Sequence, residues 1–147
     1  MGAIDKNQFI QNGQLDMEHL LSRFAVHFND IYGREDGRFV EEKGRKLFLL
    51  YLKPIINGVG NYYIEAQTRD ETRTDIIIDY LGHQYIIELK IWRGNAYNER
   101  GREQLIGYLD YFHLVKGYLV SFSFNKNKKT GVHTIDLDGR EIVECVV

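Results

Sequence analysis

Three charged residues with the chemistry of a metal-dependent site interrupt two apolar stretches in the middle of the chain. Asp75 lies in the first stretch, RTDIIIDY, and Glu88 and Lys90 lie in the second, YIIELKI. The apolar residues around them alternate with a period of two, which predicts two half-buried β-strands. The turn between the strands falls within Leu81-Gly82-His83-Gln84, because Gly82 tolerates a positive φ angle.

The turn decides which residues of the predicted hairpin face each other. With Gly82 and His83 as a two-residue loop, Ile77 faces Glu88 and Asp75 faces Lys90. We therefore expect Asp75, Glu88 and Lys90 to lie a few ångströms apart on one face of the sheet. Two carboxylates and a lysine are costly there unless they bind something. Hard oxygen ligands in small number favour Mg²⁺ or Mn²⁺ as the bound ion.

This set of side chains is suited to metal-assisted hydrolysis of a phosphodiester. The metal would lower the pKa of a bound water and stabilise charge on the phosphoryl oxygens. Lys90 would orient that water or stabilise the developing negative charge. The sequence has no GxxxxGK[ST] phosphate loop, no GxSxG elbow and no Cys/His cluster for zinc, so it gives no support to those other mechanisms.

Two helices are predicted before the hairpin. The first begins after Asp16 and ends near Tyr32, and the second runs from about Arg38 to Lys53 and stops at Pro54. The second helix opens with the acidic pair Glu41 and Glu42. These acids either interact with the positive end of the helix dipole, or one of them reaches the carboxylate cluster. The sequence leaves both interpretations open.

A third helix is predicted after the hairpin, from about Tyr97 to His113. Gln104 and Tyr108 are four residues apart, so they share a face of this helix. Arginines stand in and before its first turns, where the helix dipole disfavours cations. This pattern indicates either a solvated basic surface or contacts with nucleic-acid phosphates. The arginines are Arg93, Arg100 and Arg102.

The predicted elements form one mixed α/β domain with a central mixed sheet flanked by helices. Strands are expected at 62–68, 117–124, 132–137 and 140–147 besides the hairpin, and the strand from Gly117 follows a helical crossover that permits parallel pairing. Residues 1–14 are polar and are expected to form a flexible N-terminal segment. The folded domain is then expected to span residues 15–147.

Composition narrows the class of protein. The chain has 147 residues, of which 44% are hydrophobic and 27% charged, and its net charge is −2. It is therefore a globular domain without the overall positive charge of an unspecific nucleic-acid binder. Cys145 is the single cysteine, which suits a reducing cytoplasm. We expect no membrane segment and no signal peptide, and the sequence gives no indication of oligomeric state.

The hairpin and the following helix resemble the PD-(D/E)XK nuclease superfamily. Its hallmark is an acid in one strand, a turn, and E-x-K in the next strand, matched here by Thr74-Asp75 and Glu88-Leu89-Lys90, with Thr74 in place of the nominal proline. Members related to recombination exonucleases also carry Q-x-x-x-Y on the next helix, matched by residues 104–108. The resemblance implies a restriction-endonuclease-like core and Mg²⁺- or Mn²⁺-dependent cleavage of nucleic acid, with DNA the expected substrate.

The resemblance also implies roles for particular residues. Metal binding falls to Asp75 and Glu88, assisted by Glu42 or its neighbour Glu41 on the preceding helix. The arginines would contact the nucleic acid. Catalysis falls to Asp75, Glu88, Lys90, Gln104 and Tyr108.

A closer resemblance covers nearly the whole chain, from about Leu15 to Val147. The phrases LFLLYLKPIINGVGNYYIEAQTR and YIIELKIWRGNAYNERGREQLIGYLDY are similar to a bacterial family whose nuclease-like domain lies C-terminal to an AAA-type ATPase-like domain. That ATPase domain is then an expected partner. A fold does not fix a function, so two alternatives remain. One is a non-catalytic domain that binds nucleic acid or regulates the ATPase, and the other is a structural network of the hairpin acids with Lys90 and Arg73.

Overall fold

A computed structural model describes residues 6–32, 41–66, 73–92, 94–123 and 128–147. Within these ranges it describes the side chains of all residues except 6, 7, 31, 32, 41, 42, 65, 66, 73–75 and 95–98. The helices are a short 3-10 turn, Lys6–Phe9, and α1 (Met17–Tyr32), α2 (Glu41–Ile56) and α3 (Asn95–Tyr111). The strands are β1 (Ile10–Gln11), β2 (Gln14–Leu15), β3 (Gly60–Ala66), β4 (Arg73–Tyr80), β5 (His83–Ile91), β6 (Lys116–Phe122), β7 (Gly131–Leu137) and β8 (Arg140–Val146).

Within the described ranges, β3 to β8 form one mixed six-stranded sheet. Its spatial order is β3-β4-β5-β6-β8-β7. β5 pairs in parallel with β6, and β6 pairs in parallel with β8. The other neighbours are antiparallel. The predictions of a mixed α/β domain, of a central mixed sheet and of a parallel strand after the helical crossover are therefore confirmed.

The helices cover the two faces of the sheet. The apolar residues of α1 and α2 share one core cluster with Ile76, Ile87 and Phe122. α3 packs on the other face, where its Leu105 and Leu109 join a second cluster. Strand residues alternate between these two clusters because successive side chains point to opposite faces. The result is a three-layer arrangement of helices, sheet and helix. Among the described α-helices, α1 and α2 form one outer layer and α3 forms the other.

β4 and β5 are buried on both faces at the centre of the sheet. Ile76, Ile77 and Ile78 are all buried, as is the whole run from Tyr85 to Lys90. The prediction of half-buried strands is therefore wrong for this hairpin. Alternation of side-chain types suggested that one face of the hairpin is exposed to solvent. In the structure, α3 covers the face that carries Ile77, Ile86 and the charged residues.

The β4–β5 turn differs from the predicted one by one residue. Leu81 and Gly82 form the two-residue loop, with φ angles of 49° and 81°, and Tyr80 pairs with His83. Two successive positive φ angles define the type I′ turn, whose twist matches that of the flanking strands. The predicted pairing of Asp75 with Lys90 and of Ile77 with Glu88 is therefore wrong. Asp75 pairs with Glu88, and Ile77 pairs with Ile86.

α2 continues through Pro54 instead of ending there. The helix extends to Ile56, and both Ile55 and Ile56 are buried in the core. Burying these two side chains contributes a few kcal/mol, which offsets the backbone hydrogen bond that proline cannot make. The predicted start near Arg38 lies outside the described residues.

Residues 6–14 contribute to the fold, although the sequence predicts a flexible segment there. Phe9 is fully buried beside α1 and α2. β1 and β2 form a small hairpin, and the backbone N–H of Leu15 donates a hydrogen bond of 3.0 Å to the Tyr85 hydroxyl. Asp16 caps α1 as predicted, since its Oδ1 accepts a hydrogen bond of 3.2 Å from the His19 N–H.

Among the described residues, no helix combines the length and the apolar composition that crossing a membrane requires.

Candidate functional site

The β4–β5 ladder sets Asp75 directly opposite Glu88, and Lys90 lies two residues beyond Glu88 on β5. Directly paired positions share a face of a sheet, and so do positions two apart on one strand. All three positions therefore belong to the face that α3 covers. The side chain of Asp75 is outside the described part of the chain, so the arrangement of the predicted trio is defined here by register.

Glu88 and Lys90 are completely buried. Both have an exposed fraction of 0%. An ionised group in such a place must gain hydrogen bonds or charged neighbours to offset the loss of water. Their burial distinguishes them from the surface charges that make up most of the acids and lysines of a domain.

α3 covers these two residues with a glycine. Gly101 is itself buried, and a Cβ atom at that position would lie 2.7 Å from Lys90 Nζ and 3.1 Å from Glu88 Oε2. A real Cβ does not approach other heavy atoms to 2.7 Å. The absence of a side chain therefore lets the α3 backbone lie directly against the charged ends of both residues.

A second carboxylate is buried on the same face, at Glu144 in β8. Arg102 of α3 donates two hydrogen bonds to it, from Nε to Oε1 and from Nη2 to Oε2, the latter of 3.0 Å. His133 of β7 places Nε2 2.9 Å from Glu144 Oε2. The Glu144 side chain is only 5% exposed, whereas Arg102 is 24% exposed. This two-pronged geometry is the strong form of an arginine–carboxylate pair.

Electrostatics within this second cluster favour the charged forms. Burial alone raises the pKa of the Glu144 carboxyl, but the hydrogen bond and charge of Arg102, with a contribution from His133, outweigh it. The pKa of Glu144 is therefore below its ordinary value of 4.5. The hydrogen bond to Glu144 raises the pKa of Arg102 in turn.

Strand register connects the two carboxylate sites in one row across the sheet. Glu88 pairs with Leu119 of β6, Leu119 pairs with Glu144, and Glu144 pairs with His133. Leu119 is thus the apolar residue that separates the Glu88 position from the Glu144 position. Neither Glu144 nor His133 is among the site residues predicted from the sequence. The signal that could have found Glu144 is the one that found Glu88, an acid within an apolar strand.

Arg102 was predicted to contact nucleic acid. In the folded chain its guanidinium binds Glu144, and the contact with nucleic acid stays a prediction. Arg100 is exposed on α3. Arg93 lies outside the described residues, so its predicted role stays a prediction.

Gln104 and Tyr108 lie about one and two turns beyond Gly101 on α3. Gln104 is exposed. Tyr108 is half-buried and packs against the apolar cluster under the helix. Both lie within α3 four residues apart, so the prediction that they share a helix face is confirmed. The assignment of these two residues to the site stays a prediction.

Glu41 and Glu42 begin α2, the helix on the sheet face opposite to α3. Their side chains are outside the described part of the chain, so the choice between them stays open. Within that part, no group of three or more His, Cys, Asp or Glu side chains could hold a metal ion. The side chains of the predicted metal ligands Asp75 and Glu42 lie outside that part.

A cavity of about 500 Å³ lies elsewhere in the fold. It opens between β1, β2 and the starts of β5 and β6, and its lining includes Gln14, Asp16, Tyr85 and Lys116. Of the predicted site residues whose side chains the structure describes, none lines it. The buried residues Glu88 and Lys90 and this cavity are therefore separate features of the molecule.

Fold and site together define a mixed α/β domain with a buried glutamate and lysine beneath its third helix. Comparison of the chain with models of protein families, with curated proteins and with solved structures finds no match.

Proposed function

We propose that this domain is a metal-dependent nuclease that hydrolyses phosphodiester bonds of nucleic acid, with DNA as the expected substrate. The observation that carries the proposal is the register of β4 and β5. It sets Asp75 opposite Glu88, with Lys90 two residues further along the same face. An acid facing E-x-K across a hairpin is the pattern for which the sequence resembles the PD-(D/E)XK superfamily.

The order of elements supports a restriction-endonuclease-like core. A helix, a three-stranded antiparallel meander, a second helix and a parallel strand follow one another as α2, β3–β5, α3 and β6. The resemblance implies this same order. The assignment to the superfamily remains part of the proposal, because one topology accommodates many functions.

The donor set fits Mg²⁺ or Mn²⁺. Asp75 and Glu88 would hold the ion, since cross-strand pairs bring two side-chain ends close together and these ions prefer carboxylate oxygens. When bound, the ion supplies Lewis acidity for a water and for a phosphoryl oxygen. Glu42 is the proposed additional ligand.

Lys90 would place a fixed positive charge beside the reacting phosphate. Its ammonium and the Glu88 carboxylate both lie against Gly101, and a charge held in a dry site stabilises a developing negative charge more strongly than one in water. Gln104 and Tyr108 would position the phosphate backbone along α3, and Arg93 and Arg100 would contact the nucleic acid.

The complete burial of Glu88 and Lys90 favours a second candidate function. A substrate must reach its catalytic groups, and neither of these groups is accessible to solvent in the folded chain. Arg102 is also engaged by Glu144. The alternative is a non-catalytic domain that binds nucleic acid or regulates an AAA-type ATPase domain, with the buried charges serving the fold.

Cleavage assays separate the two functions. Plasmid DNA, single-stranded DNA and RNA would be incubated with the protein and Mg²⁺ or Mn²⁺. The critical variant is Lys90→Met, because methionine keeps the buried stem without the charge. Removing one of two buried charges costs about 3–5 kcal/mol, so the variant is assayed at a temperature where circular dichroism shows it to be folded. We expect it to lower the cleavage rate by at least about 100-fold.

Lys53→Ala is the matched control, since Lys53 is an exposed lysine on α2, on the other side of the sheet. It should cleave like the unmodified chain. Absence of cleavage with every substrate, or equal cleavage by Lys90→Met, would exclude the nuclease. Calorimetric titration with Mn²⁺ then tests the alternative. If the domain is non-catalytic, the unmodified chain and Asp75→Asn should give the same titration.

A further inference from the structure

We propose that Arg102 is a positioning residue: its ion pair with Glu144 holds the turn of α3 around Gly101 against Glu88 and Lys90. The catalytic consequence of this proposal rests on the proposed nuclease function. The structural consequence does not, and it can be measured on a protein that cleaves nothing.

The first support is the closeness of α3 to the buried pair. With a Cβ position only 2.7 Å from Lys90 Nζ, the helix backbone itself limits where the ammonium can lie. A small outward movement of this turn would give Lys90 room to change rotamer and would admit water. The height of α3 above the sheet at Gly101 therefore controls the place of the Lys90 charge.

The second support is that apolar packing holds the other half of the helix. Leu105 and Leu109 are the α3 residues that are fully buried in the cluster on this face, and both lie C-terminal to Gly101. A Cβ at Gly117 of β6 would lie 3.1 Å from the Leu109 methyl groups, so the helix is tightly seated there. The side chains of residues 95–98 are outside the described part of the chain.

The third support is the glycine within the N-terminal half of the helix. Gly101 lies in the helix interior, where glycine is less favourable than alanine by about 0.8–1.0 kcal/mol. A tertiary contact close to Gly101 offsets this cost.

Arg102 supplies that contact one residue from Gly101. Its guanidinium donates two hydrogen bonds to the carboxylate of Glu144 in β8, which His133 also contacts. A two-pronged pair fixes both the distance and the orientation of the helix turn. The ion pair thereby joins Glu144 of the sheet to the turn of α3 that covers Glu88.

α3 provides its own control, because a second ion pair ties its other end to β8. Asp110 near the C-terminus of α3 binds Arg140. This pair is more exposed and lies more than two turns from Gly101. Arg140→Ala therefore removes an ion pair between the same two elements without touching the turn around Gly101.

The experiment measures how readily Lys90 reacts with acetic anhydride, by mass spectrometry of the folded protein. Lys90 is buried, so the unmodified chain should label slowly there. We expect Arg102→Ala and Glu144→Gln to speed Lys90 labelling by about tenfold or more, because loss of a partly buried ion pair lowers the free energy of local opening. Arg140→Ala should leave it unchanged.

Other outcomes of the labelling overturn the proposal. Equal labelling of Lys90 in Arg102→Ala and in the unmodified chain means that the ion pair does not hold this turn. Equal acceleration by Arg140→Ala means a general loosening of α3. If Arg102→Ala does not fold, Arg102→Lys decides: it keeps the charge but not the two-pronged bond, and it should label at an intermediate rate.

Cleavage kinetics supply a second readout if the unmodified chain is a nuclease. A positioning role predicts that Arg102→Ala and Glu144→Gln both lower kcat and leave KM for DNA nearly unchanged. Direct contact of Arg102 with nucleic acid predicts a raised KM for Arg102→Ala alone, which would contradict the proposal. If the unmodified chain does not cleave, the nuclease function fails while the labelling result still decides the role of the ion pair.

Discussion

Asp75 and Glu88 lie directly opposite each other in the antiparallel ladder of β4 and β5. Like charges at directly opposed positions destabilise a sheet. The cost increases when one carboxylate is out of contact with water, as Glu88 is. A chain that keeps both acids at such a pair of positions accepts a loss of stability, and a cation between them would remove it.

Removal of one of these acids is therefore expected to stabilise the metal-free protein. We expect Asp75→Asn to raise the free energy of unfolding by about 0.2–1 kcal/mol, the usual size of cross-strand charge effects. The same change should abolish Mn²⁺ binding and any cleavage. Urea unfolding in the presence of EDTA measures the first effect, and calorimetry measures the second.

Asp79→Asn is the matched control. Asp79 lies on the same strand and the same face, but it pairs with Asn61 and Gln84 and so has no opposing charge. Its replacement should change neither stability nor Mn²⁺ binding appreciably. A loss of stability in Asp75→Asn, with Asp79→Asn unchanged, would show that Asp75 makes a stabilising contact in the metal-free protein and is not repelled by Glu88.

The sequence predicted the shared face of Asp75, Glu88 and Lys90 in spite of a wrong turn. Moving the loop from Gly82-His83 to Leu81-Gly82 shifts the partner of Asp75 by two residues, from Lys90 to Glu88. Because side chains alternate with a period of two, a shift of two residues leaves every side chain on its original face. The turn itself was hard to predict, since a positive φ angle at a leucine is uncommon.

The contacts of α3 could not be read from the sequence in the same way. Arg102 and Glu144 are 42 residues apart, and they meet only because β8 inserts between β6 and β7 in the sheet. Local spacing carries no information about that order. The contact of Arg102 with Glu144 could therefore not be predicted. The interior glycine at position 101 was the local sign of a close approach.

Two glycines of α3 should respond oppositely to alanine. At Gly107 a Cβ would meet nothing within 4 Å, so Gly107→Ala should stabilise the protein by roughly 0.5–1 kcal/mol through helix propensity. At Gly101 the same gain is opposed by overpacking against Lys90 and Glu88, which costs about 1–3 kcal/mol. We expect Gly101→Ala to be destabilised, as measured by thermal and urea unfolding.

The pair of glycine variants isolates the contact, because the substitution and the helix are the same. An increase in stability for Gly101→Ala equal to that for Gly107→Ala would mean that the α3 backbone is not held against Lys90. A higher free energy of unfolding for Gly107→Ala would also show that α3 tolerates alanine at a position without close contacts.

Glu144 should make the stability of the domain depend on acid pH. Its pKa in the folded chain is below the ordinary value of 4.5, so the folded state binds the proton less readily than the unfolded state does. The stabilisation is therefore fully present above about pH 4.5, and it is lost as the pH falls through the folded pKa. Glu144→Gln removes the charge with little change in shape, and it should cost about 1.5–3 kcal/mol at pH 7.

Urea unfolding of both proteins at pH 7 and near pH 3 tests this coupling. The difference between the unmodified chain and Glu144→Gln should shrink at the lower pH, because the unfolded chain takes up a proton at Glu144 below about pH 4.5, whereas the folded chain resists that protonation through its lowered pKa. Glu141→Gln is the control, since Glu141 is an exposed acid of the same strand, 3.7 Å from Lys116, and such a pair contributes about 0–1 kcal/mol. A Glu144→Gln effect of equal size at both pH values would mean that the carboxylate stabilises β8 through its shape and neutral hydrogen bonds, and that its charge does not hold Arg102.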